Sequence, residues 1–99
     1  MRAFERFLEY VAINTQSDEH SGTHPSFTGE FDLARKLMSE LEDMGIKARL
    51  TDKCCLMAKI PASEGYEDLP VYGFIAHMDT APAYSGADVK PVIHHKILQ

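Results

Sequence analysis

The spacing of apolar positions changes character three times along the chain. Residues 3–13 carry Phe4, Phe7, Leu8 and Val11 at i, i+3, i+4 and i+7, one apolar stripe on a helix. Asn14 to Thr28 is polar and rich in Ser, Thr, Asp, Gly and Pro, which predicts a loop. Helical spacing returns from about Ser26 to Met44, where Phe31, Ala34, Leu37, Met38, Leu41 and Met44 recur on one face. Ser26, after Pro25, is a candidate N-cap; Glu30 lies near the positive end of the helix dipole, and Gly45 suits the position just past the helix end. Beyond Gly45 the period falls to two. Ile46, Ala48 and Leu50 alternate with Lys47, Arg49 and Thr51, and Leu56, Ala58 and Ile60 repeat the pattern up to Pro61. The short link Asp52-Lys53-Cys54-Cys55 predicts a hairpin. After an acidic loop at 62–69, residues 70–76 are apolar on both faces, which predicts a central strand. Val92 and Ile93 offer the start of a further strand.

The order α-α-β-β-β predicts an α/β fold: a mixed sheet with a β-hairpin and a central strand, and two helices packed on it. In open α/β sheets ligands bind beyond the carboxyl ends of strands. The candidate central strand runs there into His77-Met78-Asp79-Thr80. His77 and Asp79, two apart on an extended backbone, point the same way. Imidazole is the commonest metal ligand, and a ligating His needs a partner to fix its tautomer, a role open to Asp79. A zinc site takes three or four protein ligands, so this is half a site at most. On spacing alone, a strand-end His that is merely packed or hydrogen-bonded is the commoner case.

Composition narrows the alternatives. Ninety-nine residues, 44% of them hydrophobic, make one small globular unit. A net charge of −5 argues against nucleic acid or an anionic membrane as a partner. No apolar run is long enough to span a bilayer, and the charged start Met1-Arg2-Ala3-Phe4-Glu5-Arg6 lacks the apolar core of a signal peptide. Cys54 and Cys55 are adjacent, so a bridge between them would be strained; free thiols and a cytoplasmic location follow. His20 and His24 sit in a polar loop without the Glu of an H-E-x-x-H site, and His94-His95 would face opposite ways on a strand. Ser85 has no nucleophile elbow around it and reads with Gly86 as a turn. No Gly-rich phosphate loop is present.

The residues assembled in this way resemble the amino-terminal part of the peptidase T family, cytoplasmic tripeptide aminopeptidases within a wider group of di-zinc exopeptidases. Phe4-Glu5-Arg6-Phe7-Leu8-Glu9-Tyr10-Val11 is similar to the opening helix, and Asn14-Thr15-Gln16-Ser17 to the loop that follows. Pro25-Ser26 with Gly29-Glu30 and Leu56-Met57-Ala58-Lys59-Ile60-Pro61-Ala62 match further on. The most specific match is Gly73-Phe74-Ile75-Ala76-His77-Met78-Asp79-Thr80-Ala81-Pro82, continuing through Tyr84-Ser85-Gly86.

The resemblance implies the N-terminal part of a zinc-exopeptidase-like catalytic domain, with His77 a ligand to one of two zinc ions and Asp79 the catalytic residue that orients it. It implies a tripeptide substrate. Members are several times longer. Their bridging Asp, general-base Glu, further acidic ligand, distal His and smaller dimerisation domain match nothing in residues 1–99. Ala83 stands where an acidic residue is common. The chain alone is therefore expected to be inactive and to hold zinc weakly. Another di-zinc hydrolase, such as a dipeptidase or deacylase, is the nearer rival. A non-catalytic α/β binding or assembly module is the other, and an unpaired sheet edge would favour self-association.

Overall fold

The computed structural model describes residues 1–95. Two helices, α1 (Ala3–Tyr10) and α2 (Gly29–Asp43), precede two short strands, β1 (Ala48–Leu50) and β2 (Leu56–Ala58). This is a small α/β arrangement in which α2 packs against β1.

Local chemistry explains where each helix begins and stops. At the start of α1 the Glu5 carboxylate reaches back to the Arg2 backbone N–H at 2.7 Å, satisfying one of the donors a helix leaves open. The helix ends at Tyr10, three residues short of the expected span, as Ile13 N–H turns back to the Tyr10 carbonyl at 3.0 Å. The N-cap of α2 is Thr28, not Ser26. The Ser26 hydroxyl is engaged in the preceding loop, where it accepts from the Asp18 N–H at 3.1 Å. Glu30 stabilises the helix start as expected, accepting from the Phe27 N–H at 3.1 Å. At the far end Gly45 adopts φ +80°; its N–H bonds to the Glu42 carbonyl at 2.9 Å and Ile46 N–H to that of Leu41 at 2.9 Å. That double closure is the Schellman arrangement, and it needs the left-handed residue that Gly supplies.

The hairpin pairs Ala48 with Ala58, Arg49 with Met57 and Leu50 with Leu56, antiparallel. Three residues, Asp52, Lys53 and Cys54, close it: Thr51 N–H donates to the Cys55 carbonyl at 2.9 Å, and the Thr51 hydroxyl accepts from Cys55 N–H at 3.0 Å. Cys54 takes the left-handed position, φ 64°, normally a Gly or Asn site in such loops. Its thiol is buried and free, and burial pushes its pKa up; Cys55 is free and exposed. No bridge joins the two, as their adjacency predicts.

The expected central strand is not formed. Residues 70–76 pair with no strand among the described residues, and Val71, Tyr72, Phe74 and Ile75 lie open to solvent. Apolarity on both faces does not make a strand without neighbours to take up its backbone groups, and the β1–β2 sheet stops at two strands. The mixed sheet is thereby reduced to the hairpin, and Val92 and Ile93 start no strand either. The hydrophobic core is correspondingly slight. Leu33 and Ala34 of α2, with Cys54, are its buried apolar residues, and none of α1 is buried. Leu33 lies outside the predicted stripe, whereas Met44, inside it, is exposed. The radius of gyration, 16.5 Å, exceeds the roughly 13 Å of a close-packed chain of this length.

Long polar side chains, rather than interlocked apolar ones, tie α1 to α2. Glu40 is the hub. It accepts a hydrogen bond from the Tyr10 hydroxyl, pairs with Arg6 at 3.0 Å and lies 3.9 Å from Lys36, which itself pairs with Glu9 at 3.1 Å. Burial, and then the Glu40 carboxylate, raise the Tyr10 phenol above its ordinary range. A raised folded-state value contributes stability that is present below the unfolded phenol value and lost as pH rises through the folded one. In chemical denaturation Tyr10→Phe should cost about 1 kcal/mol, the worth of one such bond. Glu40→Ala should cost more, because it frees three partners. Wild-type stability should decline above about pH 10, relative to Tyr10→Phe. Equal costs for the two variants would remove Glu40 from the hub.

Candidate functional site

His77 and Asp79 follow the open segment 70–76, and the structure brings them together. The ring Nδ1 of His77 lies 3.0 Å from Asp79 Oδ1 and 2.8 Å from the Asp79 backbone carbonyl. Both neighbours are acceptors, so Nδ1 must carry the proton in the neutral ring. The lone pair is then on Nε2, and the imidazole side chain is 84% exposed. An imidazole held in that tautomer by a carboxylate is the form a metal ligand takes.

Asp79 is held from its other side by Ser17, whose hydroxyl donates to Asp79 Oδ2. That bond is the first cause of a carboxyl pKa below the ordinary aspartate value; burial opposes it, and the His77 ring adds to the lowering. The carboxylate therefore divides its two oxygens between a hydroxyl and an imidazole.

Ser17 belongs to a loop bonded to the segment after Asp79 by a short parallel bridge. Thr80 N–H donates to the Thr15 carbonyl at 3.0 Å, and Ser17 N–H to the Thr80 carbonyl at 2.9 Å. Between them, Gln16 hooks the opposing loop twice: its side-chain amide donates to the Pro82 carbonyl at 3.1 Å, and its Oε1 accepts from Gly86 N–H at 3.1 Å. Asn14 shapes the loop by accepting the Gln16 N–H on its side-chain oxygen at 3.1 Å. Beside the pair opens a cleft of about 710 Å³ with mainly apolar walls, including Phe7, Val11, Leu33, Leu37 and Met78.

Among the described residues, the other candidates make no hydrogen bond to this pair, although Ser85 lines the same cleft. His20, His24, His94 and His95 are exposed. Ser85 is exposed, and its hydroxyl accepts from Ala87 N–H at 3.2 Å, a turn contact. Ala83 is exposed, and Cys54 and Cys55 lie in the hairpin loop. Among the described residues, no three or more His, Cys, Asp or Glu side chains are grouped to hold a metal ion. Also among them, no helix is long and apolar enough to cross a membrane. Periodicity and motif spacing gave Gln16 and Ser17 no role of their own. Their one signal was the Asn14-Thr15-Gln16-Ser17 match, which ties them to no distant partner.

Gly86 is a point of close contact between the two loops. A Cβ there would stand 2.6 Å from Asn14 Oδ1, 3.0 Å from Gln16 Cβ and 3.2 Å from Gln16 N. Gly86→Ala should therefore part the loops at a cost of about 1–3 kcal/mol. Amide exchange at Ser17 and Thr80 should speed up. Unchanged protection at both amides would show that the loops absorb a methyl group without moving.

No protein-family model matches the chain. Individual relatives do. The chain is 47% identical over 88 residues to peptidase T of Geobacillus kaustophilus, covering 88% of this chain and 21% of that protein. It is 46% identical over 89 residues to peptidase T of Alkaliphilus oremlandii, covering 88% and 22%. It is 47% identical over 87 residues to peptidase T of Clostridium novyi, covering 87% and 21%. The chain thus spans about a fifth of the length of the relatives it matches. With nearly half of the residues shared along almost nine-tenths of its own length, the chain is similar in sequence to part of these peptidase T proteins.

Proposed function

We propose that the complete protein is a cytoplasmic metallo-aminopeptidase that releases the N-terminal residue of tripeptides. Residues 1–99 form the front portion of its catalytic domain, and a separate dimerisation domain lies in the rest of the protein. The observation that carries this reading is the pinned imidazole. Its Nδ1 is held at 3.0 Å from the Asp79 carboxylate, and Nε2 is free to take a metal. His77 fits one position of a zinc site, with Asp79 orienting it. No group of three or more His, Cys, Asp or Glu side chains forms a metal site among the described residues, so the reading takes the other ligands of a two-zinc centre from the rest of the protein. When bound, such a pair of ions polarises the scissile carbonyl and acidifies a bridging water. What this chain supplies is one oriented ligand and the loops that fix it. Among the described residues no general base is identified beside that ligand, so the chain alone is expected to be inactive and to hold zinc weakly. That the relatives are named peptidase T supports a peptidase over a deacylase.

A chimaera tests the reading. Residues 1–90 of this chain would replace the matching segment of the Geobacillus kaustophilus enzyme, and hydrolysis of a tripeptide, a dipeptide and an N-acetylated amino acid would be compared. The tripeptide should be cleaved fastest, and His77→Ala should lower the rate by at least a hundredfold with loss of zinc. A folded, zinc-loaded chimaera that prefers the dipeptide or the acylated substrate would pass the reading to the rival hydrolases. One that cleaves none would leave a non-catalytic module.

The exposed segment Val71–Ala76 we assign as a central strand of the complete catalytic domain. In the 99-residue chain its unpaired backbone and apolar side chains favour pairing with a second copy. Light scattering should show a mass rising with concentration, and Phe74→Lys should return the chain to a monomer. A wild-type chain that is monomeric at every concentration would exclude that pairing.

A further inference from the structure

We propose that Ser17 is a positioning residue for His77, acting through Asp79: its hydroxyl holds one carboxylate oxygen so that the other faces the imidazole. The inference rests on the reading of His77 as a metal ligand, but its geometry does not depend on a metal.

Three observations support it. The Ser17 hydroxyl donates to Asp79 Oδ2, and Asp79 Oδ1 meets His77 Nδ1 at 3.0 Å, so one carboxylate joins the two. The Asp79 side chain is 40% exposed, with water as the competing partner for both oxygens. A carboxylate in that setting turns freely unless something anchors it, and a charge-assisted bond from a hydroxyl does so. Finally, the hydroxyl is surplus to the attachment of the loops. Main-chain bonds at 2.9 and 3.0 Å and both ends of the Gln16 amide already secure them. A hydroxyl needed only to tie the loops would have no reason to end on this carboxylate.

The backbone fixes the donor's position with equal economy. Ser17 N–H is bonded to the carbonyl of Thr80, the residue next to Asp79. The hydroxyl therefore moves with the residue it restrains, and small loop displacements carry both together.

The test reads the tautomer of His77 directly. Ring-nitrogen chemical shifts of ¹⁵N-histidine-labelled chain would be recorded at a pH where the imidazole is neutral, for wild type, Ser17→Ala, Ser17→Thr and Asp79→Asn. In wild type Nδ1 should carry the proton. Ser17→Ala should lower the Nδ1–H to Nε2–H ratio about fivefold, the equivalent of one ordinary hydrogen bond. Ser17→Thr, which keeps a hydroxyl, should restore the ratio. The amide shifts of Thr80 and Gly86 should stay at their wild-type values in Ser17→Ala. An unchanged ratio in Ser17→Ala, with a shift in Asp79→Asn, would overturn the inference and leave the His77–Asp79 pairing intact. No shift in either variant would overturn the pairing itself. Loss of the Thr80 and Gly86 shifts in Ser17→Ala would make Ser17 a structural tie and overturn its positioning role.

Discussion

One parallel bridge, Gln16 opposite Thr80, carries the second half of this molecule. Among the described residues, every hydrogen bond between 61–95 and the rest of the chain is made by Thr15, Gln16 or Ser17. The contacts are few but of different kinds: two between backbones, two through one side-chain amide and one from a hydroxyl to a carboxylate. The backbone and amide bonds differ in direction, so they fix orientation as well as distance, while the hydroxyl aims the carboxylate. Thr15, at the centre, is among the most buried residues of the chain. Gly29 and Gly86 leave room for Asn14 and Gln16 to approach, because a Cβ at either position would meet one or both of them. The bridge therefore requires glycine on both sides, and in each case the reason is space, not backbone freedom.

Little else restrains the second half. The apolar face of α2 buries Leu33 and Ala34, while Phe7 of α1 and Val71 to Ile75 remain in water. Each large apolar side chain left exposed forgoes on the order of 2 kcal/mol of burial. A chain with so many lacks the driving force to hold itself compact, and its radius of gyration reflects that. The cleft beside His77 is the same deficit seen from inside: apolar walls that do not close on one another. The site's stiffness thus comes from hydrogen bonds across the bridge, while its hydrophobic surroundings remain open.

Short-range features of the fold were legible in the sequence. The helices, the hairpin and the glycine stop at position 45 follow from local period and turn chemistry, which act over a few residues. The cap at Thr28 was missed because Ser26, the better cap by type, is drawn to Asp18 across the loop. The strand expected at 70–76 is absent here for a deeper reason: strand structure depends on partners, and period reports only which faces are apolar. The site divides similarly. His77 and Asp79 are two apart and share a side on any extended backbone, so their pairing was visible in advance. Ser17 lies 62 residues from Asp79, and no local pattern connects them.

That division bears on what the pair can contribute chemically. With Oδ1 facing His77 and Oδ2 facing Ser17, Asp79 has each oxygen committed to orientation. A carboxylate so engaged is a poor terminal ligand, because turning toward a metal would break one bond and release the imidazole from its tautomer. Under the proposed reading, the motif would therefore offer one ligand from two metal-binding residue types. A site built around His77 must draw its other ligands from elements that the bridge does not reach. The bridge holds Ser17 against Asp79, so the direction of Nε2 depends on a loop more than sixty residues upstream.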